Sequence, residues 1–270
     1  MARKKNAKRK QFEDEIFNES EYNDDLDYKK SDFVSKTNSL PDVKIVAKNE
    51  SQKNLIRSIK NNEITICYGS PGTGKTYVSL GLALNNLKKV SNEYDRIYLV
   101  KSVRTLQDED VGYLKGDLNS KIEPVMQSFF LNIKKLIPTK IMNNLINDDI
   151  LVPFPVAYMR GVTLDNCIIV VDEVQNLTLT NIKTIMTRIG TNCKLIILGD
   201  LNQIDLPNSN YSALAPIIKM FELHEQIGVI EMSKDDINVR NPLIKSIEDK
   251  FDEYEKNNKT TNKQVKQLLV

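Results

Sequence analysis

Eight consecutive residues decide the fold: Gly69-Ser70-Pro71-Gly72-Thr73-Gly74-Lys75-Thr76. They satisfy the P-loop pattern G-x-x-x-x-G-K-[ST] in full. An apolar run at 64–68 precedes them and an apolar-periodic stretch at 77–87 follows, which predicts a strand, a tight turn and a helix. Glycines let the backbone of such a turn approach a phosphate closely, and the start of the helix adds positive potential. The segment therefore predicts a nucleotide-binding loop.

Each part of this loop has an expected role toward ATP. Lys75 is expected to reach the β- and γ-phosphates, and Thr76 is expected to ligate Mg²⁺. The candidate nucleotide-binding residues are the loop and the residue after it: Gly69, Ser70, Pro71, Gly72, Thr73, Gly74, Lys75, Thr76 and Tyr77.

Working outward, short β-rich runs alternate with helical patterns along the chain. Such alternation predicts an α/β fold, a parallel sheet flanked by helices. The strongest runs are continuously apolar, which is typical of parallel strands buried on both faces. Strands are predicted at 64–68, 96–100, 151–156, 167–171, 194–198 and 228–232, and helices at 51–60, 75–87, 121–136, 179–188, 211–220 and 242–255. Residues 101–150 show no strand, which indicates an insertion of loops and helices.

Two further motifs follow apolar strands. Asp172 and Glu173 come directly after the run at 167–171, the Walker B arrangement. Asp172 is expected to hold Mg²⁺ through its water shell, and Glu173 to orient or deprotonate the attacking water. The next apolar run ends in Gly199-Asp200-Leu201-Asn202-Gln203, where Gln203 is the candidate sensor of the γ-phosphate; a plain strand-to-loop turn is the alternative.

Taken together, these three motifs resemble motifs I, II and III of superfamily 1 helicases. The chain resembles the PhoH family of ATPases more closely, over about residues 52–254. That resemblance implies a P-loop NTPase with one RecA-like domain, the cofactors ATP and Mg²⁺, and helicase-like coupling of hydrolysis to RNA or single-stranded DNA. The segments that carry it are 112–118 (GYLKGDL), 157–164 (AYMRGVTL), 187–190 (TRIG), 199–207 (GDLNQIDLP) and 239–242 (VRNP).

This chain departs from the family pattern at one charged position. The family usually shows Thr-Arg-Pro after the second strand, whereas this chain has Val100-Lys101-Ser102. A lysine keeps the charge but lacks the planar fork with which arginine binds phosphate.

Gln52 occupies the place where helicase-like folds use a glutamine to read the adenine edge; an exposed helical glutamine with no role is the alternative.

Because the sequence contains few arginines, each of them can be considered as the residue that stabilises the charge of the γ-phosphate. In superfamily 1 helicases a second RecA-like domain supplies that arginine, and we expect no second domain here. Either Arg240 therefore acts within its own chain, or an arginine comes from a neighbouring subunit of a homo-oligomer, a ring being one arrangement. We favour assembly. The candidates are Arg104, Arg160, Arg188 and Arg240, with Arg240 first.

The amino-acid composition argues for or against several further classes of function and location. The 38 basic and 36 acidic residues leave a net charge of +2, so bulk charge gives no strong nucleic-acid signal. With one histidine and three cysteines, a dedicated Cys/His metal site is not expected; Cys67, Cys167 and Cys193 are interpreted as small buried hydrophobes in a reducing cytoplasm. No apolar run approaches the roughly 20 residues of a membrane span, and no signal peptide is recognised. A cytoplasmic protein is expected.

Three segments are expected. Residues 1–40 form a disordered charged tail, a basic arm on nucleic-acid phosphates being the alternative; residues 41–256 form the PhoH-like P-loop ATPase domain; residues 257–270 form a polar C-terminal tail. Two functions stay open: an Mg²⁺-dependent ATPase that works on RNA or single-stranded DNA, and an ATP-gated assembly or regulatory protein that moves no strand.

Overall fold

The protein was analysed as a computed structural model that describes residues 40–87, 94–101, 118–159 and 161–232, with eight further helical positions between 243 and 254. Its described strands are β1 (Ile64–Gly69), β2 (Arg96–Lys101), β3 (Leu151–Pro153), β4 (Cys167–Asp172), β5 (Cys193–Gly199) and β6 (Ile227–Met232). The described helices of the same part are α1 (Glu50–Asn61), α2 (Lys75–Leu87), α3 (Leu118–Ile133), α4 (Thr139–Asn147), α5 (Leu179–Met186) and α6 (Leu214–Phe221).

All six described strands run parallel in one sheet, in the order β3-β2-β4-β5-β1-β6. The P-loop follows β1, and β5 lies between β1 and β4. Because parallel strands end at the same edge of a sheet, the loops after β1, β4 and β5 meet there. The predicted α/β fold, with a RecA-like parallel sheet flanked by helices, is confirmed.

The sheet is covered on both faces, which explains why its central strands are apolar throughout. Every residue of β4 and of β5 is buried. One hydrophobic cluster packs α1, α2, α3 and α4 against one face, and a second packs α5 and α6 against the other. Burial on both faces removes the polar alternation that a half-exposed strand would show.

Side-chain hydrogen bonds hold both ends of helix α1. At its start, the Asn49 side chain accepts a hydrogen bond from Gln52 N at 2.8 Å. At its end, the buried Lys194 ammonium on β5 donates to Ile59 O and Asn62 O, each at 2.6 Å. The Asn49 bond satisfies an N–H of the first turn, and the two Lys194 bonds satisfy carbonyls that the end of the helix leaves without a partner.

Several predicted boundaries were wrong. The helix predicted at 121–136 spans Leu118–Ile133, and a separate helix, α4, follows Pro138. The strand predicted at 151–156 ends at Pro153, since the prolines at 153 and 155 have no N–H for a ladder bond; a 3₁₀ turn, Val156–Met159, comes next. The helix predicted at 211–220 begins only at Leu214, after a 3₁₀ turn at Ser209–Tyr211.

The cysteine prediction is confirmed in part. Cys67, Cys167 and Cys193 are buried free thiols. However, Cys167 and Cys193 face each other across β4 and β5 with their Sγ atoms 3.5 Å apart, a proximity that their separation in sequence does not show. At the start of the described chain, Leu40 is already buried, so packing extends to the last residue of the predicted tail. None of the helices within the described ranges is long and apolar enough to cross a bilayer.

Candidate nucleotide-binding site

The P-loop is shaped by glycines at left-handed backbone angles. Gly69 has φ +141° and Gly74 has φ +92°. A Cβ on Gly69 would collide with the carbonyl oxygen of Met232, a backbone atom of the neighbouring strand that cannot move aside. Within the loop, the fully buried Thr73 donates from Oγ1 to Ser70 O at 2.9 Å and closes the turn.

Gln52 supports this turn from α1. Its Nε2 donates to Thr73 O at 2.9 Å and its Oε1 accepts from Lys48 N at 2.9 Å. The side chain is buried, so the alternative of an exposed glutamine is wrong. That Gln52 reads the adenine edge stays a prediction, and both ends of its amide are bonded to backbone here.

Lys75 begins α2 and folds back over the loop. Its Nζ donates to Gly69 O at 2.6 Å and to Ser70 O at 2.8 Å. The ammonium thus lies above the turn, next to the first N–H groups of α2, where an anion is stabilised by both. This placement is the one a phosphate-binding lysine needs.

The two predicted Mg²⁺ ligands are in contact. Thr76 Oγ1 donates to Asp172 Oδ2 at 3.1 Å. Burial, followed by the negative charge of Glu173, raises the pKa of the Asp172 carboxyl above its usual range. A buried carboxylate beside a hydroxyl, destabilised by a second carboxylate, suits a small hard cation with oxygen ligands. The residues therefore fit Mg²⁺. No cluster of three or more His, Cys, Asp or Glu side chains with metal-binding geometry occurs among the described residues.

Glu173 follows directly in an unusual backbone conformation. Its φ of 56° and ψ of 41° lie in the left-handed region, which a side chain with a Cβ seldom adopts. Its Oε2 accepts from Gln175 Nε2 at 2.5 Å, and its Oε1 lies 3.8 Å from the ammonium of Lys101. Lys101 also donates to Ser128 Oγ of α3 at 2.9 Å. The lysine that replaces the family's arginine thus lies against the predicted catalytic carboxylate.

The third motif reaches the same place from β5. Gln203 lies at a cavity that Lys75, Asp172 and Glu173 also border, and so does Asp200, which is 4% exposed. That Gln203 senses the γ-phosphate stays a prediction. Sequence reasoning gave Asp200 no role of its own, although it stood in the Gly199-Asp200 turn. It also gave none to Gln175, whose signal was a polar residue two positions after Glu173, between the apolar residues Val174 and Leu177.

One cavity of about 530 Å³ collects these side chains, a size suited to a nucleotide. Lys44, Lys48 and Lys135 border it and give it a positive rim. Of the predicted site residues it is lined by Gln52, Pro71, Gly72, Gly74, Lys75, Thr76, Tyr77, Asp172, Glu173 and Gln203. Gly69, Ser70 and Thr73 form the turn beneath it.

Among the candidate arginines, Arg104, Arg160 and Arg240 lie outside the described residues. Arg188 lies at the opposite edge of the sheet: its carbonyl accepts from Leu164 N, before β4 begins. β4 has six residues, and each adds about 3.3 Å, so Arg188 is on the order of 20 Å from Asp172. A contact within one chain is therefore ruled out for Arg188, and delivery from a neighbouring subunit stays a prediction.

Comparison with solved structures finds the large terminase of a thermophilic bacteriophage, with 11% identity and a TM-score of 0.48 over 74% of this chain and 48% of that chain. Another crystal form of that terminase, in complex with ADP, gives 10% identity and a TM-score of 0.44, over 72% and 48%. Neither likeness is close enough to carry an argument.

Comparison with known sequences is decisive. A PhoH-like protein of Synechocystis sp. is 33% identical over 77% of this chain and 62% of its own length, and one of Bacillus subtilis is 33% identical over 77% and 64%. The protein PhoH of Escherichia coli K12 is 32% identical over 71% and 54%. The chain thus matches between about half and two thirds of the length of these relatives. The family profile described as PhoH-like protein matches residues 44–252, and the chain belongs to this family.

Proposed function

We propose that the chain binds ATP with Mg²⁺ at the P-loop and hydrolyses it, and that hydrolysis is coupled to RNA or single-stranded DNA. One observation carries the hydrolytic part. Glu173, whose charge acts directly on the Asp172 carboxyl, borders the cavity together with Asp172 and Lys75. Binding of a metal nucleotide needs one carboxylate for the ion; a further one at the same place suits activation of water.

Each side chain has a task in this proposal. Thr76 and Asp172 would hold Mg²⁺, which would supply positive charge to neutralise the phosphates. Lys75 exchanges its two carbonyl partners for phosphate oxygens. Glu173 accepts a hydrogen bond from the attacking water and takes its proton. Gln203 borders the cavity where it can distinguish triphosphate from diphosphate.

Coupling to a polynucleotide is the part supported only by the family resemblance. Its alternative, an ATP-gated assembly, is favoured by one observation. Ile247, Phe251 and Tyr254 are exposed at helical positions spaced four and three residues apart, on one face. Exposed apolar side chains grouped in this way mark protein-binding surfaces.

A single assay separates the two functions. ATP hydrolysis by the full chain is measured alone, with poly-RNA and with single-stranded DNA, at constant salt because polynucleotide binding depends on salt. Stimulation by either polymer supports the coupled ATPase. An unchanged rate with both polymers, together with ATP-dependent sedimentation as an assembly, would replace it with the gated assembly.

A further inference from the structure

Gln175 joins two loops of the nucleotide site through its side-chain amide. It is fully buried in the 3₁₀ turn after Glu173, Val174–Asn176. Its Nε2 donates to Glu173 Oε2 at 2.5 Å, and its Oε1 accepts from Asp200 N at 3.0 Å. One amide therefore spans from the carboxylate after β4 to the backbone after β5.

Burial of this amide is not explained by packing. Its neighbours Val174 and Leu177 are buried apolar residues, as a core turn would require. A buried amide costs free energy unless its groups are hydrogen-bonded, and both of these bonds go to residues that border the nucleotide cavity. Gly199 leaves room for it, since a Cβ there would lie 3.1 Å from Gln175 Oε1.

The hydrogen bond from Gln175 goes to Glu173, whose backbone conformation is strained and must be held by surrounding contacts. Glu173 has a left-handed backbone, which costs on the order of 1–3 kcal/mol and persists only where surrounding contacts fix it. Its N–H donates to Asp172 Oδ1 at 3.0 Å, which holds the backbone. Gln175 holds the other end of the residue, the carboxylate.

Other links join the same two loops without reaching the carboxylate of Glu173, although Asn176 N donates to Glu173 O at 2.9 Å. Asn176 donates from Nδ2 to Asp205 Oδ2 at 2.9 Å and accepts from Asp205 N at 2.7 Å. Further along, Ala213 N donates to Leu177 O at 2.8 Å. These bonds hold the loops together, so Asn176 provides a matched control for the specific contact of Gln175.

We propose that Gln175 is a positioning residue: it holds the carboxylate of Glu173 in its working orientation and ties that orientation to the loop that carries Asp200 and Gln203. The inference rests on the proposed function, since it needs Glu173 to act on the attacking water. A rearrangement of the Gly199–Gln203 loop would reach the Glu173 carboxylate through this amide, and the rate of hydrolysis would depend on the conformation of that loop.

The first test compares Gln175→Met, which keeps the length of the side chain but removes both hydrogen bonds, with Asn176→Ala. For Gln175→Met we expect kcat for ATP to fall on the order of 10- to 100-fold. Its KM and its equilibrium affinity for ATP with Mg²⁺ stay within about twofold, because Gln175 does not border the cavity. Asn176→Ala keeps kcat within about twofold; equal losses in the two variants would overturn the inference.

A double-mutant cycle asks whether Gln175 acts through Glu173. In single-turnover assays, Gln175→Met in the Glu173→Gln background should change the residual rate by less than about twofold, because the group it positions is gone. A full 10- to 100-fold loss in that background as well would show a general structural role and overturn the inference.

A second variant covers the case in which Gln175→Met does not fold. Gln175→Ala leaves room for a water molecule that can bond Asp200 N but holds no fixed donor against Glu173, so its kcat should fall in the same way; a folded Gln175→Ala with the wild-type rate would contradict the proposal. Failure of the proposed function and failure of the positioning role of Gln175 give different results. A wild-type rate in Glu173→Gln overturns the proposed function, whereas a slow Glu173→Gln beside a fast Gln175→Met overturns only the role of Gln175.

Discussion

Thr76 and Asp172 lie 96 residues apart in the chain and share one hydrogen bond, from Thr76 Oγ1 to Asp172 Oδ2 over 3.1 Å. The bond joins the first turn of α2 to the last residue of β4. Both residues were predicted as Mg²⁺ ligands from separate motifs, and the parallel order β4-β5-β1 brings the two motifs to one edge. Their contact is the reason to treat these two motifs as one site.

Lys75→Ala should weaken ATP binding about 10- to 100-fold and abolish hydrolysis, because the phosphates lose charge-assisted hydrogen bonds from its ammonium. Titration with a fluorescent ATP analogue measures the first effect and phosphate release the second. Lys53→Ala is the control, since Lys53 is exposed and pairs with Glu50 on the surface of α1. If Lys75→Ala binds and hydrolyses ATP as the wild type does, the P-loop is not the nucleotide-binding site.

Asp172→Asn should stabilise the nucleotide-free protein at neutral pH. The raised pKa of Asp172 means that the folded state binds this proton more readily than the unfolded state does. Stability therefore falls as pH rises from the usual range of an aspartate carboxyl through the raised folded pKa, and the penalty is complete above it.

The variant removes that penalty. Calorimetry in EDTA should show a Tm a few degrees above that of the wild type at neutral pH and no difference in acid, below the usual range of aspartate. With ATP present, the variant should need more Mg²⁺. A Tm below that of the wild type at neutral pH would mean that the buried charge is stabilised by contacts other than a cation.

Gly69→Ala should destabilise the fold by about 2 kcal/mol or more, because the new Cβ meets the carbonyl of Met232 and the backbone has φ +141°. Gly161→Ala is the matched control. Gly161 also has a positive φ, +80°, but a Cβ there would meet nothing within 4 Å, so only backbone strain of about 1 kcal/mol is added. Urea unfolding of both variants measures the difference; equal losses would show that the Met232 carbonyl can move aside.

The sequence predicted those parts of the site that depend on local patterns. The strand–turn–helix around Lys75 is encoded by consecutive residues, and Asp172 with Glu173 follows an apolar run that is buried on both faces. Boundaries set by tertiary contacts were less accurate: α3 was placed three residues too late at its start, and α4 was not predicted.

Side-chain partners could not be predicted, because they depend on which strands become neighbours. The contact of Lys101 with Glu173 needs β2 beside β4, and the bond of Gln175 to Asp200 needs β5 beside β4. The adjacency of β2 and β4 does not follow from chain order; β4 and β5 are consecutive strands, but their adjacency does not show which side chains meet. The placement of Arg188 at the far edge of the sheet likewise became apparent only from the bridge between Leu164 and Ile189.

Completion of the site by a neighbouring subunit predicts complementation. Arg240→Ala should be inactive alone, because an arginine finger contributes on the order of 10³- to 10⁵-fold to the rate. Mixed with Lys75→Ala subunits, it should regain activity, since each variant supplies what the other lacks. Arg188→Ala and Arg160→Ala are tested next, in that order. Specific activity independent of concentration, with sedimentation as a 30.9 kDa monomer, would contradict a shared site.

In the proposed mechanism, Glu173 activates the water molecule that attacks ATP bound at the P-loop with Mg²⁺. The most direct test of this mechanism is phosphate release by the full chain and by Glu173→Gln, measured beside equilibrium binding of ATP with Mg²⁺. We predict that the wild type releases phosphate only with Mg²⁺, and that Glu173→Gln binds ATP within about threefold of the wild type but hydrolyses it on the order of 10²- to 10⁴-fold more slowly. Equal rates of phosphate release in the two proteins would contradict the account.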